Sequence, residues 1–302
     1  MKKLILILFV FFSSCSQLPT IHSDLYWEKM VKSYSDSNQN SFMDFLRNSD
    51  EHVYNQILKD SSDKTLIEFW GQSLNFDSGA KAEILNKNII SDLQSSFNIK
   101  NDNVVVHAGI MHTYGYLFSV LNTPYGYKRK RWIEPTFDKG FNFTDASISP
   151  HPTSGTLLSN LTYFAGKIAF DEKQSQEKLE QLKNVSPSIK NYNYSALIVD
   201  VLVEDVTSHK EFPIIFKTHL VKLQNKDGNE ENSYVLIYSI KDKLTKIEKL
   251  ITAFPIKKDA YVKTLDPILL GEQRPILVRY NASIGTTQDT RLSGNRMILG
   301  VK

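Results

Sequence analysis

A single cysteine stands in the 302 residues, Cys15, and it follows a short basic and apolar leader. Met1-Lys2-Lys3 carries positive charge, residues 4–12 read LILILFVFF, and Ser13-Ser14 are small. This one placement restricts how the chain can be stabilised. With the leader removed, the only thiol lies at the new N-terminus and has no second thiol to pair with, so disulfides are excluded as staples. The fold must therefore rest on a hydrophobic core. About 288 residues, 41% apolar in the whole chain, are ample for one.

The leader is too short to anchor by itself. Nine apolar residues in a helix span about 14 Å, against a bilayer core of about 30 Å that takes about 20 residues to cross. No later run is long enough. Positive start, apolar stretch and small residues in register are the pattern of a cleaved export signal. The run Phe12-Ser13-Ser14-Cys15 resembles the lipobox of bacterial lipoproteins, with Phe12 where Leu is commonest. That resemblance implies cleavage before Cys15, acyl chains on its thiol and new amine, and a membrane partner reached through the lipid. The other reading is an ordinary secretory signal beside a chance cysteine. Ser16, in place of the Asp that the class uses for inner-membrane retention, implies the outer membrane of a two-membrane cell envelope.

Charge adds little. Lys and Arg total 36 against 33 Asp and Glu, and loss of Lys2 and Lys3 leaves the balance near neutral, so no global electrostatic case for nucleic acid exists. The organisation read from pattern is a leader (1–14), a tether containing Pro19 (15–23), a helical and loop-rich region (24–184) and a β-rich region (185–302) that can belong to the same domain. Helix starts are expected at Asp24, Asn40-Ser41, Ser49-Asp50 and Asp63, and the clearest helix over 80–97, where Leu85, Ile89, Leu93 and Phe97 repeat every four residues. Residues 104–106 read as a strand. From Gly109 to Gly155, glycine and proline are dense enough to interrupt either kind of element, so this stretch reads as loop-rich, with a helix near 157–170 and a polar one over 177–183. Strands are expected over 197–204, 212–223, 234–240, 247–256, 276–284 and 297–301, with Lys226-Asp227-Gly228-Asn229 as a turn. Short connections favour an antiparallel meander. The fold class is α+β: a helical N-terminal part followed by a mainly antiparallel sheet.

The candidate chemistry lies in three places. His107 and His112, in His107-Ala-Gly-Ile-Met-His112-Thr-Tyr114-Gly-Tyr116, could serve as acid and base. A shared metal ion is disfavoured, because residues five apart face different ways on a helix or a strand; no metal and no cofactor is expected. His219, on a strand beside Lys217, is a further candidate, as is His151 between two prolines. Taken alone, each reads first as a packed or exposed histidine and only second as a catalyst. The run Tyr127-Lys128-Arg129-Lys130-Arg131-Trp132 can hold a polyanion, with phosphates on the cations and rings for stacking; the alternative is a solvated basic turn. Lastly, Lys249-Leu-Ile-Thr252-Ala-Phe254-Pro255 resembles the terminal strand of bacterial EndoU-type ribonucleases. That likeness covers about six residues and implies Thr252 and Phe254 beside an RNA substrate, with His107 or His112 as acid and base. The spacing of that family's paired histidines is not matched. No P-loop, dinucleotide fingerprint or nucleophile elbow occurs. The primary expectation is a lipid-anchored envelope protein with a binding or structural role, the alternative a secreted hydrolase of the ribonuclease kind.

Overall fold

The structure is a computed structural model and describes residues 24–77, 80–100, 102–123, 126–127, 155–186, 197–206, 214–223 and 233–256. Cys15, the cluster Lys128, Arg129, Lys130, Arg131 and Trp132, His151, the 226–229 turn and the strands expected beyond 256 lie outside these residues. The architecture is α+β, with helices in the N-terminal part and an antiparallel sheet in the C-terminal part.

Four helices open the chain: α1 (Asp24–Asp36), α2 (Phe42–Ser49), α3 (Glu51–Ser61) and α4 (Lys64–Glu68). Their starts follow from side-chain caps. Ser41 accepts the Asp44 N–H, Asp50 that of Val53, and Asp63 that of Thr65, each satisfying an amide that has no partner inside its helix. Strand β1 (Gln72–Leu74) pairs antiparallel with β2 (Val105–His107), and α5 (Lys87–Ser96) lies between them in sequence. α5 is shorter than the periodicity suggests. Asn86 caps it by accepting the Asn88 N–H, and Leu85 is fixed before the cap by Asn75, which receives the Leu85 N–H at 3.0 Å and donates to its carbonyl at 2.8 Å.

The middle is helical where glycines argued for loop. A helical stretch runs through α6 (Ala108–Ile110), a π turn (Met111–Gly115) and α7 (Tyr116–Phe118). Here glycine serves packing. A Cβ on Gly109 would meet the Trp70 ring at 2.7–2.8 Å. The ribbon β3 (Asn122–Thr123) and β4 (Gly126–Tyr127) follows, then α8 (Leu157–Ala169), where Thr156 and Ser159 form a reciprocal capping box, and α9 (Lys173–Leu179).

Strands β5 (Leu197–Val206), β6 (Ile214–Leu223), β7 (Ser233–Asp242) and β8 (Glu248–Ile256) form a meander in sequence order, every neighbour antiparallel. Residues paired directly across an antiparallel ladder share a face. Lys217, His219 and Val221 thus lie on one face with Ser239, Ile237 and Val235, and Phe216, Thr218 and Leu220 on the other with Ile240, Tyr238 and Leu236. Both faces of β6 and β7 are buried, which accounts for the apolar character of the strands in both registers. A bulge at Tyr238/Ser239 leaves Ile251 as an extra residue of β8, between Leu250 and Thr252. Helix α8 crosses β6, β7 and β8. The buried apolar side chains of helices and sheet form one connected cluster, from Trp27 to Phe254.

Gly109→Ala tests this packing by sign. Helix propensity alone favours alanine by about 1 kcal/mol, whereas overpacking against a fixed ring costs about 1–3 kcal/mol. The variant is expected to lower the urea midpoint; an unchanged or raised midpoint would mean that the indole has room to give.

Candidate functional site

Trp70 and the segment around it decide where the histidines go. Helix α4 ends at Glu68, and its last carbonyls need partners from elsewhere. The His107 Nε2–H donates to the Ile67 carbonyl at 3.0 Å, and the Lys249 ammonium to that of Glu68. His107 Nδ1 accepts the Ile110 N–H at 3.4 Å as the N-cap of α6, and the His107 amide donates to Gln94 Oε1 at 2.8 Å. A carbonyl only accepts, so these partners fix the neutral tautomer with its proton on Nε2. Burial drives the His107 pKa down to about 4, with the Lys249 charge acting the same way. Through those bonds His107 ties the end of α4 to the start of α6.

His112, on the π turn, points elsewhere. Its Nε2 meets Thr252 Oγ1 of β8. Its ring stacks on Tyr116, with centroids 5.1 Å apart and planes at 16°, and stands tilted to Trp70 at 6.5 Å. His112 and Thr252 are each 2% exposed. The two histidines that are five apart in sequence therefore serve different partners, one at the end of α4 and one on β8. Among the described residues there is no group of three or more His, Cys, Asp or Glu side chains able to hold a metal ion.

His219 does not join this pair. It lies opposite Ile237, which lies opposite Ala253, whereas Thr252 lies opposite Tyr238; His219 and Thr252 thus face opposite sides of the sheet. Among the described residues neither His219 ring nitrogen has a hydrogen-bond partner, and burial, assisted by the Lys217 charge, lowers its pKa to about 4. Lys217 is engaged by Asp171 and by Glu248, the latter at 3.4 Å. Phe254, two residues beyond Thr252, is buried opposite Leu236. Tyr127 pairs with Asn122 at the ribbon. Of the acid–base candidates among the described residues, His112 and Thr252 are brought together.

Comparison of the chain with protein-family models, curated proteins and solved structures gave no significant match.

The most perturbed carboxyl was not among the candidates. Asp60 on α3 is fully buried and receives the Tyr114 hydroxyl at 2.6 Å and the Thr156 hydroxyl at 2.5 Å. Burial pushes its pKa up to about 7, against the opposing effect of those two bonds. The same burial, with Asp60 alongside, raises the Tyr114 phenol. The trio joins α3, the π turn and the start of α8. Its signal in sequence was only an acid in the last turn of an amphipathic helix; the partners lie 54 and 96 residues away.

These groups give stability two opposing pH slopes. A carboxyl with a raised folded pKa stabilises fully below its unfolded value near 4 and loses that contribution as pH rises through about 7. The imidazoles of His107 and His219 have lowered folded values; their contribution is complete above about 6.5 and is lost as pH falls through about 4. Asp60→Asn is expected to remove the first slope, so that its stability relative to the parent improves by a few kcal/mol, at order of magnitude, between about pH 5 and pH 8. Denaturant titrations of both proteins across this range measure it, and a constant difference would mean that Asp60 keeps the same charge throughout.

Proposed function

We propose that this chain is a lipid-anchored protein of the bacterial cell envelope, held at the outer membrane by acyl chains on Cys15, with a folded body that does binding or structural work. The observation that carries the reading is the leader: cationic start, nine apolar residues, two serines and then the only cysteine. No helix among the described residues is long and apolar enough to cross a membrane. The first described helix begins at Asp24, and the residues between Cys15 and that point reach at most about 30 Å when fully extended, so an anchored body would stay close to the bilayer. Two or more long chains make desorption very slow, since each buried methylene contributes about 0.8 kcal/mol. The basic aromatic run from Tyr127 to Trp132 supplies the chemistry for a polyanionic ligand such as lipid headgroups, lipopolysaccharide or nucleic acid.

One contact favours a second reading, a secreted hydrolase of the ribonuclease kind: His112 and Thr252 meet although 140 residues separate them. An imidazole against a hydroxyl is a unit of acid–base chemistry. For RNA to reach it, the Tyr116 ring that covers His112 has to move aside.

Cys15→Ser is expected to shift the protein from the membrane to the aqueous fraction of lysed cells, and mass spectrometry of the parent should find acyl chains on the matured N-terminus. Unchanged fractionation, or a free thiol, discards the anchor. On the anchored reading purified protein leaves RNA intact. Cleavage that disappears in His112→Ala, with the circular dichroism spectrum retained, would install the ribonuclease reading in its place.

A further inference from the structure

Asp60 stands in a run of oxygens whose hydrogens can be counted. Four oxygen–oxygen contacts lie within hydrogen-bond distance. The Tyr114 hydroxyl is 2.6 Å from Asp60 Oδ2, and Asp60 Oδ1 is 2.5 Å from Thr156 Oγ1. Thr156 Oγ1 is 2.7 Å from Ser159 Oγ, which is 2.5 Å from the Asn184 carbonyl. Asp60, Tyr114, Thr156 and Ser159 are all buried.

Two oxygens this close repel unless a hydrogen lies between them. Four contacts therefore require four hydrogens. The Tyr114, Thr156 and Ser159 hydroxyls bring one each, and the Asn184 carbonyl brings none. Thr156 is in reach of both Asp60 and Ser159 and can donate to only one of them. The amide hydrogens do not fill the gap: those of Thr156 and Ser159 go to the other residue's hydroxyl oxygen, each at 3.0 Å. A fourth hydrogen on Asp60 Oδ1 satisfies every group. Asp60 then donates to Thr156, Thr156 to Ser159, Ser159 to Asn184, and Tyr114 to Asp60 Oδ2. An ionised Asp60 instead draws the Thr156 hydrogen to itself and leaves the Thr156–Ser159 contact with none. If Ser159 turns to fill that contact, the one to Asn184 is emptied.

Few charges face this carboxyl. Lys59, its neighbour on α3, favours ionisation, and Asp63, the cap of α4, opposes it. The π turn presents the Tyr114 phenol, and the start of α8 presents only the uncharged Thr156 and Ser159. Lys183, beside Asn184, contributes its amide to Asp63 at 3.3 Å. Lys167, at the far end of α8, pairs with Glu180 at 2.9 Å. Burial outweighs Lys59 and lifts the Asp60 pKa to about 7, in the direction that the hydrogen count requires.

We propose that the Asp60 carboxyl is held protonated in the folded protein and that this proton is a latch, fastening α3 to the π turn and to the start of α8 until alkaline solution removes it and the Thr156–Ser159 turn opens. The opening has a route to the His112–Thr252 pair. The π turn carries His112 two residues before Tyr114, and α8 carries Thr162, which receives the Trp70 indole N–H at 2.8 Å.

Infrared difference spectra of the full chain, parent minus Asp60→Asn, read the C=O stretch of a protonated carboxylic acid. The band is expected at about pH 5 and is lost as pH rises through about 7. Ser159→Ala removes one contact from the count and frees the Thr156 hydrogen for the carboxylate, so the midpoint is expected to fall by about one pH unit, a tenfold change in the ionisation constant. Tyr114→Phe takes a donor from the carboxylate and is expected to raise it. Amide exchange over 111–116 and 156–162, as the ratio of parent to Asp60→Asn at one pH, is expected near one at about pH 5 and at least about fivefold at about pH 9. The asparagine amide keeps a donor for Thr156 and an acceptor for Tyr114 at every pH. Absence of the acid band at every pH overturns the proton. A midpoint that stays or rises in Ser159→Ala assigns the proton to burial alone and overturns the hydrogen count. An exchange ratio that stays near one overturns the latch.

Discussion

The end of helix α4 is the point on which the rest of the structure depends. Five consecutive residues there, Ile67 to Gly71, bond to three separate parts of the chain. Ile67 is tied to His107, Glu68 to Lys249, and Phe69 through its carbonyl to the Leu250 amide at 2.8 Å. The Trp70 indole donates to Thr162 on α8 at 2.8 Å, and Gly71 exchanges with Leu250 and Ala108 at 2.8 and 2.9 Å. Buried backbone groups that lose a partner cost about 1–3 kcal/mol each, so this short segment cannot shift without disturbing α6, α8 and β8 together. Gly109, which gives the indole its seat, belongs to the same constraint. Helical and β halves share one core because this joint brings them into contact.

The joint also explains why histidines that look alike in sequence differ in what they can do. His107 is consumed as a fastener, neutral and bonded through both ring nitrogens. His219 is buried on β6, neither ring nitrogen has a hydrogen-bond partner among the described residues, and desolvation lowers its pKa to about 4. His112 sits on the π turn, where an extra residue per turn re-aims side chains relative to a regular helix, and it reaches across to Thr252 at the bulge of β8. A π turn facing a β-bulge places one irregularity against another, and each kind is frequent at functional sites. The most perturbed acid, Asp60, lies instead at the junction of α3, the π turn and α8.

What sequence revealed and what it hid divides along the range of the interactions. Strands β5 to β8 were legible because alternation and short connections are local, and Ser41, Asp50 and Asp63 were legible because a cap acts within three residues. The helical stretch from Ala108 to Phe118 was not. Gly109 and Gly115 read locally as breakers, and only the Trp70 ring, 39 positions away in the chain, shows that Gly109 is there for close approach. The early start assigned to α5 has the same origin: Leu85 keeps the helical stripe, but Asn75 holds it in a turn. The joining of His112 to Thr252 and of Asp60 to Thr156 is purely tertiary, and spacing carries no trace of it.

A second fastening governs the far end of the sheet. Glu248, the first residue of β8, accepts the Asp171 and Glu172 amides at 3.0 and 3.1 Å and lies 3.4 Å from the Lys217 ammonium, with Lys241 at 3.9 Å. Lys217 bonds in turn to Asp171. A buried carboxylate is tolerable only when cations and amides surround it, so β6, β7, β8 and the α8–α9 connection have to keep their places for Glu248 to keep its partners. Ile247 is its immediate neighbour in the chain, so the ion cluster sets the base of the hairpin while the Asp242 carboxylate sets its loop.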